Sequence, residues 1–385
     1  VYQRLRPSPR YDFFVCHHKV DASAQSRLLK CMMTARNLEV FIDSDDLQDL
    51  DSLFDTVRSR VRHVIVYLTK DTLTRPWCSG EIVTAYRNNK KTTVVLTDGP
   101  TGFTFLTDEQ MNHLDSYIEG GKVLTKYLIS MADVKIAYQW LLSDQVPLVR
   151  LPDAVRGRQR FEKLVKLLLH GSAGVSDPPQ PPKNDYVLVS TDPQDNEATA
   201  AASILCLSIE QELLGFTQSG TLMCVDQEDP DIGKLVEHAR AVVVLLSACT
   251  MESLPQLTAI VSCMISKTVP VIPVTTPSFQ FPGANFYDVV LPGIWTGDVD
   301  LARELIQNLF MTIAVHLAIN SSMEVIEAQS KLVLRRVPRT KGAFERMLSG
   351  GASLGASSDA SSVPQHRCPG FIADGELSES SVVDL

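Results

Sequence analysis

The chain has 385 residues, 44% of them hydrophobic and 21% charged, enough for two domains of ordinary size plus some unstructured sequence. Its net charge of −9 and its scattered basic residues, with no Lys/Arg block longer than "RR", give no basis for a nucleic-acid-binding surface. The longest apolar stretch, "LFMTIAVHLAI", is too short to span a bilayer and reads as a buried helix, so no membrane span is expected.

The opening "VYQRLRPSPR" has the features of neither a signal peptide nor a transit peptide, and the missing initiator Met reads as a truncated chain. Next, "YDFFVCH" is a continuous apolar run, as expected of a strand buried on both faces. "SAQSRLLKCMMTARN" follows at helical spacing. Then come "LEVFID" as a strand, a polar loop, "LFDTVRSRVRH" as a helix, "VIVYLT" as a strand, "RPWCSGEIVTAY" as a helix and "TTVVLT" as a strand. Alternating β and α elements predict a parallel sheet with helices on both faces.

The stretch "GSAGVSDPPQPPK" is a Gly/Ser then Pro-rich linker, assigned to 171–183. Beyond it the order repeats: "DYVLVST", the helix "AAASILCLSIEQELLG", "TLMCVD", the helix "IGKLVEHAR", "AVVVLLS" and "VPVIPVT". At an offset of 178, "VIVYLTKDTL" lies on "VVVLLSACTM" without a gap. "LVRLP" (148–152) similarly matches "DVVLP" (288–292), which predicts the fifth strand of each repeat. On this reading the fourth-to-fifth connection has about 45 residues in the first repeat and about a dozen in the second. The longer one, "TDEQMNHLDSYIEGGKVLTKYLISMADVKIAYQWLLSD", reads as helical, either a packing extension or a lid. The fold expected is α/β: two flavodoxin-like three-layer domains, at 1–170 and 184–335, each with a parallel five-stranded sheet. A Ser/Gly-rich disordered tail is assigned to 336–385.

Of the eight cysteines none forms a CxxC pair, and most sit in apolar runs such as "FFVC" and "LMCV". They read as reduced thiols packed as small hydrophobes in a cytoplasmic protein, with no metal set among them.

In parallel α/β sheets, ligands bind beyond the carboxyl ends of the strands. In the first repeat that edge carries His17 and His18 after strand one, and Asp43 and Ser44 after strand two. The helix starting at Pro76 begins beside it, with Trp77 and Glu81 four residues apart on one face and Cys78 next to them.

The order and spacing of three segments resemble the Toll/interleukin-receptor/resistance (TIR) domain. "YDFFVCHHK" is similar to its first box, and "VFIDSDDLQDLDSLFDTVRSRVRHVIVYLTKD" to its second. "RPWCSGEI" matches the Trp-Cys-x-x-Glu motif through Trp77, Cys78 and Glu81. The resemblance covers about residues 11–170, and 184–320 reads as a degenerate copy. Leu50 stands where the family usually has Gly, and Cys16-His17-His18 replaces the common ending of strand one, Ser, an aromatic, then Arg or a small residue.

Some TIR domains cleave NAD+ between nicotinamide and ribose. The resemblance therefore implies a TIR-type NAD+ nucleosidase, active when self-associated, in signalling or defence. Glu81 would be its catalytic carboxylate, with substrate contacts from His17, His18, Asp43, Ser44, Trp77 and Cys78. NAD+ would be a substrate rather than a cofactor, and partners would be copies of the chain or other TIR domains. The alternative is a non-catalytic adaptor using two TIR-like domains for homotypic contacts; nucleotide sensing without turnover is a third reading. In the second repeat the offset puts Ala259 opposite Glu81, so that copy reads as packing, pairing or partner binding.

Overall fold

The structure is a computed structural model that describes residues 10–46, 52–99, 101–152, 157–171, 186–214, 222–225, 232–267 and 269–338. Leu50, nearly all of the linker at 171–183 and all but the first residues of the tail at 336–385 lie outside them.

In the first repeat, strands β1 (Tyr11–Cys16), β2 (Val40–Phe41), β3 (Val61–Leu68), β4 (Lys91–Leu96) and β5 (Leu148–Arg150) form a parallel sheet in the order β2-β1-β3-β4-β5. The helices are α1 (Lys19–Thr34), α2 (Asp43–Asp46), α3 (Leu53–Ser59), α4 (Pro76–Arg87), α5 (Asp108–Asn112), α6 (Leu114–Tyr117), α7 (Met131–Leu141) and α8 (Gly157–His170). Pro76 opens α4, where its missing N–H has no intrahelical partner to lose. Gly80 lets α3 come close: a Cβ there would stand 2.3 Å from Cζ of Phe54.

The predicted helical extension is present as α5, α6, a 3-10 turn at Gly121–Tyr127 and α7. It packs on α4. The Tyr138 hydroxyl is 2.7 Å from Ser79 Oγ, and it donates to the Leu73 carbonyl.

In the second repeat, β6 (Tyr186–Ser190), β7 (Leu222–Val225), β8 (Ala239–Leu246), β9 (Val271–Thr275) and β10 (Val315–His316) form a second parallel sheet, ordered β10-β9-β8-β6-β7. Read from the other edge, this is the order of the first sheet. The helices are α9 (Asn196–Leu214), α10 (Ile232–His238), α11 (Leu254–Ser266), α12 (Leu291–Ile294), α13 (Val299–Phe310) and α14 (Met323–Arg336). Both sheets are flavodoxin-like.

Three expectations for this half are corrected. "DVVLP" is not a strand: Phe286–Val290 forms a π-helical turn that runs into α12, with Pro292 in the first turn. The fifth strand is Val315–His316, paired with β9 through Val315↔Val274. "LFMTIAVHLAI" is therefore not a helix; α13 stops at Phe310, and the β-branched residues after it lead into an edge strand. Consequently the fourth-to-fifth connection spans 276–314 and holds its own helices, so it is not a dozen residues.

The 178 offset holds structurally for β3 on β8 and for Pro76 on Leu254. The pairings Val64↔Thr92 and Val242↔Val271 then show a shift of one residue by the fourth strand.

The repeats pair within the chain. One apolar core contains Leu28, Met32 and Phe161 from the first repeat and Ala201, Leu205 and Ile326 from the second, with α1, α8, α9 and α14 around it. Separate cores fill the outer side of each sheet.

Candidate functional site

Glu81 lies one turn into α4, facing the carboxyl end of β1. It is 4% exposed. Its carboxyl keeps close company with two thiols: one ligand atom each from Cys16, Cys78 and Glu81 lies within 4.8 Å of the others, and all three residues are buried. The thiols point at backbone carbonyls, Cys78 Sγ at His17 O (3.3 Å) and Cys16 Sγ at Cys78 O (3.9 Å). Glu81 Oε2 has no hydrogen-bond partner. Burial, then the nearby Cys78 and Asp43, push the Glu81 carboxyl well above the usual carboxylate range. Burial also raises the Cys16 thiol, as do Cys78 and Glu81 beside it.

The other predicted residues divide into two groups. His17 is buried, with Nδ1 3.1 Å from the Val15 carbonyl; burial lowers its pKa against the pull of Asp43. Asp43 pairs with Lys19 at 3.0 Å through Oδ2, while its buried Oδ1 has no hydrogen-bond partner. His17, Asp43, Cys78 and Glu81 thus form one neighbourhood, and Arg75 at the N-cap of α4 adds positive charge to it. His18 stands at its rim, 3.1 Å from Asp21.

Ser44 and Trp77 face elsewhere. Ser44 Oγ accepts from Arg27 Nη2 at 3.2 Å. The Trp77 ring, half-buried, packs against the core 6.0 Å from the ring of Phe54 and 5.9 Å from that of Tyr127.

Asp21 was not singled out from sequence, yet it organises the rim. Its Oδ2 accepts from Thr69 Oγ1 (2.9 Å) and from the Asp71 N–H (3.3 Å), and Thr69 N–H donates to Thr72 Oγ1 (2.9 Å). Hydrogen bonds and His18 hold its carboxyl below the ordinary range despite burial. The second repeat builds the same device: Ser247 Oγ donates to Asp195 Oδ2 (2.9 Å) and Ser247 N–H to Thr250 Oγ1 (2.8 Å). The sheet registers Phe14↔Val64 and Leu188↔Val242 align Asp21 with Asp195 and His18 with Asp192. A search that allowed the offset to change between the first and third strands would have found this pair.

The second repeat keeps this scaffold and drops the site. Ala259, 1% exposed, fills the Glu81 position. Asp192 accepts from Ser253 Oγ (2.9 Å), and Gln256, aligned with Cys78, donates to the Leu245 carbonyl (2.7 Å). Glu252 lies in the turn before α11.

No protein-family model matches the chain, and no curated protein matches it. Among solved structures, the TIR domains of the activated Roq1 resistosome, which directly recognises the pathogen effector XopQ, are 15% identical with a TM-score of 0.29. That match covers 40% of this chain and 100% of that one. The glycotransferase of kitacinnamycin is 11% identical with a TM-score of 0.23, covering 89% and 94%. Tagatose-6-phosphate ketose/aldose isomerase from Escherichia coli is 9% identical with a TM-score of 0.24, covering 89% and 87%. Likenesses of this size carry no argument about activity.

The rim also meets the partner repeat. A cleft of about 240 Å³ between the repeats is lined by Lys19, Ser23, Asp195, Glu197, Ser278 and Asn320 among others, and Glu81 does not line it. Glu197 of α9 accepts from the backbone N–H groups of Ala24 (2.5 Å) and Gln25 (3.2 Å) in α1. These donors are free because α1 breaks at Ala22 (φ −145°, ψ 27°), which leaves a second helix N-terminus inside the element. Arg160 of α8 is buried, chelates Asp98 with Nη2 (2.7 and 2.6 Å) and donates to Asn196 of α9.

Proposed function

We propose that the first repeat is a TIR-type module that cleaves NAD+ at the bond between nicotinamide and ribose, with Glu81 as the catalytic carboxylate. One observation carries this reading. Glu81 is a buried carboxyl with a partnerless oxygen, at a position the sister repeat fills with Ala259. The fold does not require the group, and leaving it unsatisfied costs about 1–3 kcal/mol.

The chemistry suits a single carboxylate. The bond from nicotinamide N1 to ribose C1′ breaks with its electron pair going to nitrogen, so nicotinamide leaves neutral and needs no acid. Positive charge develops at C1′, and water then adds there and loses a proton. Glu81 accepts ribose hydroxyl hydrogen bonds and stabilises that charge from a water-poor site. The substrate's own positive charge favours the ionised form of a carboxyl whose pKa burial raises. Arg75 and Lys19 supply positive charge on the rim for the phosphates, and His17 and His18 border the ribose.

Specific contacts favour a second reading, the non-catalytic adaptor. Trp77 and Ser44 are engaged with Phe54 and Arg27 of the same repeat, and Glu81 is enclosed. Nicotinamide release by the full chain, followed across a protein concentration series, distinguishes the two. Turnover that rises more steeply than protein concentration supports the assembled enzyme. Self-association without release at any concentration supports the adaptor.

A further inference from the structure

We infer that Cys16, Cys78 and Glu81 form a binding site for a thiophilic divalent cation of the zinc type. The donor set is two thiols and a carboxyl, brought together from the end of β1 and the first turns of α4 although the cysteines are 62 residues apart in the chain. All three groups are buried, and Glu81 Oε2 has no other partner. Thiolate and carboxylate together suit zinc or cadmium rather than magnesium or calcium, which take oxygen ligands.

The geometry needs only local adjustment. Around tetrahedral zinc, bonds of about 2.3 Å to sulfur and 2.0 Å to oxygen put the ligand atoms about 3.5–3.8 Å apart. The present spread of up to 4.8 Å closes with side-chain shifts of about 1 Å. Among the described residues no fourth His, Cys, Asp or Glu joins the group, which leaves one coordination position for water or an exogenous ligand. Loading the ion displaces the thiol protons and any proton on the carboxyl, so one dication replaces up to three protons. Arg75 beside the site offsets the resulting negative charge.

The site is specific to one repeat. Ser190, Gln256 and Ala259 occupy the aligned positions in the second, with no thiol or carboxylate among them. Resting on the NAD+ reading, the inference adds regulation: a bound cation ties up Glu81 and makes the enzyme reversibly inhibited by zinc.

The test is a titration of the reduced full chain with Cd2+, following the ultraviolet thiolate-to-cadmium charge-transfer band. One ion per chain is expected with the band present, and the Cys16→Ser/Cys78→Ser double variant is expected to lose it. Glu81→Gln is expected to keep the band with affinity weaker by roughly tenfold or more. A band of unchanged size in the double variant, or no band in the native chain, overturns the proposal. Should the double variant not fold, Cys16→Val and Cys78→Ala singly, each retaining a native melting transition, are judged by the same criterion. The readout needs no turnover, so the site fails or stands independently of nicotinamide release.

Discussion

Glu81 carries a titration signature that distinguishes it from a surface carboxylate. Its folded pKa lies above the ordinary value of 4.5, so above that pH the folded state binds more protons than the unfolded. The stability it contributes is complete below pH 4.5 and is lost as pH rises through the folded value. Glu81→Gln removes this dependence. Its melting temperature is expected to exceed the native one at pH 8, by roughly several degrees, and to converge with it near pH 4.5. Parallel pH profiles for the two proteins would contradict the burial account. The reciprocal change, Ala259→Glu, forces a charge into a site without compensating groups and is expected to cost several kcal/mol, about 3 or more, in urea unfolding. Glu81, Cys78, His17, His18 and Asp43 were legible because strand ends and helix phase put them on one edge. Cys16 and Asp21 were not assigned roles, because their partners come from α4 and from the turn after β3, distant in sequence and brought near only by the folded sheet.

At the scale of elements, α1 is the informative case. The sequence places the helix from Ser23 onward; the structure adds a first turn from Lys19, with a kink at Ala22 that frees the N–H groups of Ala24 and Gln25 for Glu197 of the sister repeat. Such a cap is invisible to a local pattern, since its acceptor lies 173 residues away. Burial raises the Glu197 carboxyl to about 8, so the stability it contributes is present at acid pH and lost between about 4.5 and 8. Comparing two neutral replacements isolates the cap: Glu197→Ala is expected to be less stable than Glu197→Gln by about 1 kcal/mol in urea titration at any pH. Equal stability would mean that the two hydrogen bonds do not hold the kink. The misread fifth strand of the second repeat has a similar cause. "DVVLP" and "AVH" are both short apolar runs, and the choice between them is made by pairing with β9, not by composition.

At the scale of the described molecule, two repeats share one core: the first copy holds the buried carboxyl of Glu81, and the second contacts α1 of the first through α9 and Glu197. The duplication was legible from the offset, but the pairing was not, since the apolar surfaces of α1 and α9 can be covered within a chain or between chains. Because Leu28, Phe161, Leu205 and Ile326 lie in one core, the described repeats are expected to unfold together, in a single calorimetric transition whose enthalpy equals the van't Hoff value. Two separated transitions would show that each repeat stands alone. The central claim, that Glu81 acts on NAD+, is tested most directly by nicotinamide release under single-turnover conditions with the assembled full chain and its Glu81→Gln variant. The account predicts a fall in rate of about 10²-fold or more in a variant that still folds. Equal rates in the two proteins would contradict it.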